Sequence, residues 1–95
     1  MNCIIIEDEI PAQEILIGYI QKTVDMKLLE VFNSALKANA ILQSGMVDLV
    51  FLDIYLPNIS GLNYLKTLKN PPMVIMTTAY TKYAAESYEY DVIID

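Results

Sequence analysis

Acidic and hydroxyl side chains follow three short apolar runs in this sequence, and they are the residues best suited to chemistry. Three acids, residues 7–9, follow the run NCIII, Asp53 follows DLVFL, and Thr77 and Thr78 end the run MVIMTT. An ionised carboxylate is costly to take out of water unless something pairs with it. Each of these acids therefore either caps a turn or is held in place for a function.

A cluster of carboxylates at one point would require a cation. Two like charges about 4 Å apart repel by about 4 kcal/mol at an effective dielectric constant of about 20. Mg²⁺ prefers oxygen ligands and keeps several waters, so Glu7, Asp8 and Asp53 would suit it if the fold brought them together. Phosphoryl transfer depends mostly on positioning and charge neutralisation, and a carboxylate can be the nucleophile that forms an acyl phosphate. This chemistry offers Asp53 a role as a phosphoryl acceptor.

Each of these residues also has a simpler structural explanation. An Asp at a strand end often starts a turn, and acids at the start of a helix complement the helix dipole. A pair of threonines at the end of a strand reflects ordinary β-propensity. Taken singly, these explanations are the better ones, but their coincidence after three particular apolar runs favours a shared site.

Composition narrows the classes of function open to the chain. Its 95 residues include no histidine, one cysteine and no arginine, and the formal net charge is −6. Histidine catalysis, histidine metal ligands and a disulfide framework are therefore excluded, and the scattered lysines form no basic stripe for nucleic acid. No apolar stretch approaches the roughly 18 residues of a membrane span, and no signal peptide is present. We expect a cytoplasmic domain that binds neither membrane nor DNA by itself.

Short apolar runs alternate with amphipathic stretches along the chain. Strands are predicted over residues 2–6, 27–32, 48–52 and 73–78, with a fifth beginning at 92–94. Helices are predicted over residues 9–25, 35–43, 61–69 and 81–90, the second with Ser34 as its N-cap and Gly45 after its end. Uniformly apolar strands of this kind are typical of a parallel sheet covered on both faces. Ligands bind beyond the carboxyl ends of such strands, where the acids and the threonines would meet.

The chain resembles the receiver domain of bacterial response regulators along its whole length, residues 1–95. The matching stretches are IIIEDE, VFLDIYLPNISGL and VIMTTAY. The resemblance implies a flavodoxin-like α/β fold of three layers with a parallel sheet of strand order 2-1-3-4. Because the family pattern continues with a fifth strand and a fifth helix, we expect these to be missing or incomplete, in a receiver domain truncated at its C-terminus.

The resemblance also implies roles for individual residues. Asp53 corresponds to the phosphoacceptor, and Glu7 and Asp8 correspond to the acidic pair that binds Mg²⁺ together with Asp53, Asp8 being the more direct ligand. Tyr55 would lend its backbone carbonyl to the metal. The hydroxyl of Thr78 would bond a phosphoryl oxygen and switch the state of the domain.

Other positions follow or depart from the family pattern. Pro57 and Gly61 would shape the loop after the acceptor. The family lysine that pairs with the acceptor or its phosphoryl group has no counterpart here, since Lys82 matches no family position. Without a fifth strand, the fourth would be a sheet edge and the apolar face of the first helix would be partly bare. We therefore expect a homodimer, formed by edge pairing or by exchange of the C-terminal segment.

The implied function is signalling and not enzymatic turnover. A sensor histidine kinase would transfer a phosphoryl group to Asp53, and the acyl phosphate would change the domain surface. The stretch TTAYTKYAAESYEYDV is similar to regulators with a LytTR-type DNA-binding output domain, absent here, although its tyrosines suit a half-buried helix face equally well. One alternative is a receiver-like interaction module that is never phosphorylated. Another, a phosphohydrolase of the haloacid dehalogenase type, is disfavoured because Tyr55 stands where its second Asp is required and the chain is too short for a cap domain.

Overall fold

The computed structural model describes residues 1–78 and 91–94, with side chains for residues 1–77. The helix predicted over residues 81–90, with its tyrosines and Lys82, lies outside the described residues. The described part of the chain alternates strands and helices in the predicted order, and α1, of 12 residues, is its longest helix. None of the helices in this part is long and apolar enough to cross a membrane.

The strands and helices lie close to their predicted positions. The strands are β1 (Asn2–Ile6), β2 (Lys27–Phe32), β3 (Leu49–Asp53), β4 (Met73–Thr78) and β5 (Asp91–Ile94). The helices are α1 (Ile10–Gln21), α2 (Asn39–Gln43) and α3 (Gly61–Thr67), and a short 3₁₀ turn, Leu36–Ala38, precedes α2. Pro11 occupies the first turn of α1, where its missing N–H removes no helical hydrogen bond.

The second helix is shorter than predicted. Its first turn is 3₁₀, and Ala35, which precedes that turn, already has the helical angles φ −61° and ψ −42°. An N-cap needs an extended backbone for its side chain to reach the first free N–H groups. No side-chain cap bond is formed at the start of the 3₁₀ turn or of α2, so the predicted capping role of Ser34 is wrong. Gly45 adopts the left-handed φ of 79° that ends helices, as predicted.

All described strands lie parallel in one sheet of order β2-β1-β3-β4-β5. The predicted order of the first four strands is confirmed. The expectation that β4 forms a sheet edge is wrong, because β5 pairs with it from Ile75 opposite Asp91 to Thr78 opposite Ile94. The β-branched run at residues 92–94 suits an extended pairing, and that pairing satisfies backbone groups of β4 that would otherwise face solvent.

The core is divided by the sheet into two clusters. Successive strand residues point to opposite faces, so residues two apart share a face. One face carries Cys3, Ile5, Leu49 and Phe51 against Leu16 and Ile20 of α1. The other carries Ile4, Ile6, Val50, Leu52 and Met76, packed with residues that include Tyr64 and Leu65 of α3. Since β1 and β3 are buried on both faces, a charged side chain at their ends needs a specific reason to be there.

Helix α3 begins with a side-chain cap that can be tested directly. Ser60 has an extended backbone, and its Oγ accepts a hydrogen bond of 3.1 Å from the backbone N–H of Asn63. We expect Ser60→Ala to lower the free energy of unfolding by about 1 kcal/mol, because one N–H at the helix start loses its partner. Urea titration measures the change. Ser60→Asp, which retains an acceptor, should remain close to the unsubstituted chain, and an equal loss in both variants would contradict a capping role.

Candidate acidic site at the carboxyl edge of the sheet

The ends of β1 and β3 bring three carboxylates together. The two strands are neighbours, with Ile6 opposite Leu52, so the residues that follow lie at the same edge. Glu7, Asp8 and Asp53 each offer a carboxylate oxygen, and these oxygens all lie within 4.8 Å of one another. The predicted convergence of these residues is therefore observed. Asp53 belongs to β3 itself, one residue beyond the predicted end of the strand.

The three acids differ in their access to solvent. Glu7 is 3% exposed and Asp53 is 8% exposed, whereas Asp8 is exposed. An open cavity of about 590 Å³ adjoins Asp8 and is also lined by Gln13, Asn33 and Lys37. The cluster is thus buried on the side of the sheet and open on the side of Asp8, which leaves a path for a small ion or group from solvent.

Backbone N–H groups hold the two buried carboxylates in place. The N–H of Glu9 donates to Glu7 Oε2 at 3.1 Å, and the N–H of Tyr55 donates to Asp53 Oδ1 at 2.9 Å. Gln13 Nε2 donates to the backbone carbonyl of Glu7 at 2.7 Å, which ties the first loop to α1. Because these donors come from loops that follow the strands, the carboxylates are oriented by the backbone and do not depend on flexible side chains.

The pKa values of the two buried carboxylates, Glu7 and Asp53, are both raised. The pKa of Glu7 is raised to about 8, mainly by burial and in addition by a hydrogen bond with Asp53. Burial also raises the pKa of Asp53, while hydrogen bonds from Glu7 and from the Tyr55 N–H oppose that rise. Two buried carboxylates this close together cannot both be ionised at low cost. Glu7 therefore keeps its proton at a pH at which an ordinary carboxyl group has lost it.

The donor set fits Mg²⁺. All three groups offer oxygen, two are buried and fixed by the backbone, and the third faces solvent, where a partly hydrated ion could be held. A divalent cation would neutralise these carboxylates in place of the proton that the raised pKa of Glu7 implies. The residues that could hold it are Glu7, Asp8 and Asp53.

Without a divalent cation, folding should become less favourable as the pH rises. The pKa of Glu7 is about 8 in the folded chain against 4.5 for the ordinary carboxyl, so the folded state binds the extra proton. The resulting stabilisation is complete below the lower value and is lost as the pH rises through the higher one. We expect the free energy of unfolding to fall from about pH 5 to about pH 8 with a slope of at most about 1.4 kcal/mol per pH unit. Urea titrations in the presence of a chelator measure this slope.

The control for this prediction is Glu7→Gln. Glutamine keeps a side-chain donor toward Asp53 but has no titrating group in this range. The variant should therefore show a flatter dependence on pH than the unsubstituted chain. An equally steep slope in both proteins would contradict the assignment of the proton to Glu7.

The loop after Asp53 brings Gly61 so close to the backbone of Asp53 that no side chain could be present at position 61. A Cβ added to Gly61 would lie 2.2 Å from the backbone oxygen of Asp53 and 2.9 Å from Cα of Ile54. The N–H of Gly61 donates to the carbonyl of Ile54 at 2.8 Å, which closes the loop. Asn58 provides the turn with a positive φ of 71°. The predicted role of Gly61 in this loop therefore has a specific cause, which is contact between two backbone segments.

The predicted roles of two further site residues, Tyr55 and Thr78, are not tested by the structure. Tyr55 follows the acceptor position by two residues, and its side chain is 49% exposed while its N–H faces Asp53. The role of its carbonyl as a metal ligand stays a prediction. Thr78 is the last residue of β4, opposite Ile94 of β5, and the position of its hydroxyl lies outside the described side chains.

Thr77 was expected at this edge of the sheet from the sequence, but no role at the site was assigned to it. It lies opposite Asp53 in the β3–β4 register and is 1% exposed. Among the described side chains, its Oγ1 is the buried polar atom that lacks a hydrogen-bond partner. The available signal was the two-residue period of β4, which places Thr77 on the same face as Ile75 and therefore on the face of Asp53.

Comparisons with known protein families and curated proteins find sequence similarity along nearly the whole chain. The model of the response regulator receiver domain matches residues 3–93. The sensory transduction protein LytR of Streptococcus mutans is 35% identical over 94 residues, and the transcriptional regulatory protein YpdB of Escherichia coli is 31% identical over 94 residues. These alignments cover 94% and 96% of this chain. The chain spans only 38% of the length of either relative.

Solved structures show the same fold. The response regulatory domain of protein mrkE from Klebsiella pneumoniae has a TM-score of 0.85 and 31% identity, covering 100% of this chain and 83% of that one. The response regulator TrrA from Thermotoga maritima, solved in complex with Mg²⁺ and BeF, has a TM-score of 0.82 and 26% identity, covering 99% of this chain and 85% of that one. TrrA was also solved in complex with the histidine kinase ThkA; that chain has a TM-score of 0.75 and 28% identity, with 99% of this chain and 84% of that one covered.

Proposed function

Because the chain belongs to the family of response regulator receiver domains, we propose that Asp53 accepts a phosphoryl group from a sensor histidine kinase in a reaction that requires Mg²⁺. The observation that carries this proposal is the cluster of Glu7, Asp8 and Asp53, with Asp53 buried at the end of β3. The complex of TrrA with the kinase ThkA supports the class of partner, since TrrA is similar to this chain.

Asp53 is the nucleophile in this proposal. One carboxylate oxygen of Asp53 forms a bond to phosphorus while the P–N bond to the kinase histidine breaks, and the imidazole leaves with that electron pair. Bound Mg²⁺ would supply charge neutralisation for the phosphoryl oxygens. The Tyr55 N–H donates to Asp53 Oδ1 at 2.9 Å and so fixes the orientation of the carboxylate.

The remaining residues hold the site in its working geometry. Glu7 and Asp8 are proposed as metal ligands with Asp53, Asp8 being the more direct by its resemblance to the family pattern. The backbone carbonyl of Tyr55 is proposed as a further ligand, and the Thr78 hydroxyl as the donor that bonds the phosphoryl group and changes the state of the domain. The structure of TrrA with Mg²⁺ and BeF supports a magnesium site in this fold.

The proposal is tested by intact mass after incubation with a small phosphodonor. We expect one phosphoryl adduct per chain in the presence of Mg²⁺ and none in the presence of a chelator. The adduct should be removed by hydroxylamine, which cleaves acyl phosphates, and peptide mapping should place it on Asp53. An unmodified chain under all conditions would contradict the proposal and would favour the alternative of an interaction module that is never phosphorylated.

We also propose that the domain acts as one part of a longer regulator in the cytoplasm. The chain spans 38% of the length of LytR and YpdB, and YpdB is named a transcriptional regulatory protein. A DNA-binding output domain would accordingly lie in the rest of such a protein. The receiver would then be a stoichiometric phosphoacceptor whose product is a change in its surface.

Homodimer formation is proposed on two exposed features. Ile15 and Tyr19 of α1 are 53% and 57% exposed, and β5 is an edge strand of the sheet. Pairing at the β5 edge, or exchange of the C-terminal segment, would cover unpaired backbone groups. Light scattering at increasing concentration should show a dimer. A folded monomer at the highest concentration would contradict this part of the proposal.

A further inference from the structure

We infer that Thr77 is a positioning residue for Asp53, its hydroxyl donating a hydrogen bond to the Asp53 carboxylate from the β4 side of the site. This inference rests on the proposed role of Asp53 and adds a residue to it. It is distinct from the role proposed for Thr78, which concerns the phosphoryl group and not the unmodified carboxylate of Asp53.

The register of the sheet places Thr77 beside Asp53. The two residues are paired across β3 and β4, and the preceding pair on the same face is Phe51 with Ile75. Neighbouring strands lie about 4.8 Å apart. A threonine side chain has three staggered χ1 positions, and rotation about this one bond moves its hydroxyl between the strand neighbours on its face.

The donors around Asp53 are distributed unevenly. Tyr55 contributes a backbone N–H from the following loop, and Glu7 lies on the β1 side of the carboxylate. Among the described residues, Thr77 is the one on the β4 side that has a hydroxyl in register with Asp53. A donor on the β4 side would restrain the carboxylate in addition to Tyr55 and Glu7. The three contacts together would keep one carboxylate oxygen directed toward the incoming phosphorus.

The burial of the Thr77 hydroxyl argues against a purely structural role. The residue is 1% exposed, and its Oγ1 has no hydrogen-bond partner within the described side chains and backbone. A buried hydroxyl without a partner destabilises a fold, and valine has nearly the same shape without that penalty. The apolar neighbours on this face, Phe51 and Ile75, would accommodate valine equally well.

The first test compares Thr77→Val and Thr77→Ser in the phosphodonor assay. Thr77→Val should form the Asp53 adduct about tenfold more slowly, since a hydrogen bond to a charged group is lost, and should bind Mg²⁺ with unchanged affinity. Thr77→Ser, which keeps the hydroxyl, should recover most of the rate. Thr23→Val is the control, because it removes a hydroxyl that donates to the Tyr19 carbonyl at the far end of α1. This variant should form the adduct at the same rate as the unsubstituted chain. An unchanged rate in Thr77→Val, or an equal loss in Thr77→Ser, would overturn the inference.

A second test does not depend on phosphorylation. Urea midpoints are compared for the unsubstituted chain, Thr77→Val, Asp53→Ala and the double variant, all at saturating Mg²⁺. If Thr77 bonds Asp53, the valine substitution should raise the midpoint more when Asp53 is already alanine. Equal shifts in both backgrounds would overturn the inference. A chain that forms no adduct would refute the proposed function, while this cycle would still decide the contact between Thr77 and Asp53.

Discussion

Asp53→Asn should form no phosphoryl adduct at all under conditions in which the unsubstituted chain is fully modified. Asparagine has nearly the same shape as aspartate, but its amide nitrogen carries no electron pair free for attack on phosphorus and its oxygen is a weak nucleophile. Intact mass after incubation with Mg²⁺ and a small phosphodonor measures the loss. Residual modification that hydroxylamine removes would show that another carboxylate is the acceptor.

The same variant should be more stable than the unsubstituted chain in the absence of Mg²⁺. Asp53 is 8% exposed and lies within 4.8 Å of two other carboxylates, so removal of its charge relieves repulsion in a poorly solvated site. If Asp53→Asn is more stable, the missing adduct cannot be explained by unfolding and must result from loss of the acceptor carboxylate. Asp25→Asn makes the same substitution at an exposed residue, which has a positive φ of 73°, and should leave the adduct unchanged.

Gly61→Ala should be strongly destabilising, unlike alanine at Gly18, where the added Cβ would meet no atom within 4 Å. The new Cβ would meet the Asp53 carbonyl oxygen at 2.2 Å and Cα of Ile54 at 2.9 Å, and both obstacles are backbone atoms that no rotamer change can move. We expect the free energy of unfolding to fall by about 3 kcal/mol. Since small domains have about 5 to 15 kcal/mol in total, this is a large share of the stability.

The substitution should also slow phosphorylation of the chains that remain folded. The backbone that must yield is that of Asp53 itself, so its carboxylate would move relative to Glu7 and Asp8. Urea titration and the adduct assay together measure both effects. Gly18→Ala is the matched control, because no atom lies within 4 Å of its added Cβ and alanine in a helix is favoured by about 0.5 to 1 kcal/mol. A Gly61→Ala protein as stable as Gly18→Ala would contradict the close approach.

Local patterns in the sequence determined the element order, the parallel sheet and the three acids of the site. Apolar runs of about five residues and the helical spacing between them are properties of neighbouring residues, and burial follows from them directly. Because β1 and β3 are parallel neighbours, the acids at their ends must meet at one edge. The order of the first four strands came from the family resemblance, and with that order the convergence of Glu7, Asp8 and Asp53 follows.

The tertiary structure alone decided features that depend on distances between remote segments. The pairing of β5 with β4 made β5 the edge strand, and helical angles at Ala35 removed the predicted cap at Ser34. The raised pKa of Glu7 depends on its burial and on its closeness to Asp53, neither of which is a property of one segment. Such contacts arise only when the strands are in register, because a one-residue shift would direct every side chain to the other face.

Thr77 and Gly61 show most clearly the difference between what the local sequence determines and what tertiary packing decides. In the sequence, Thr77 is a β-branched residue in a strand and Gly61 is a glycine before a helix, and both have ordinary local explanations. The register of β3 with β4 pairs Thr77 with Asp53, and the loop brings Gly61 against the backbone of the same residue. Residue type and local period determine which face a side chain takes, whereas the atoms that it meets there are determined by packing between segments distant in the chain.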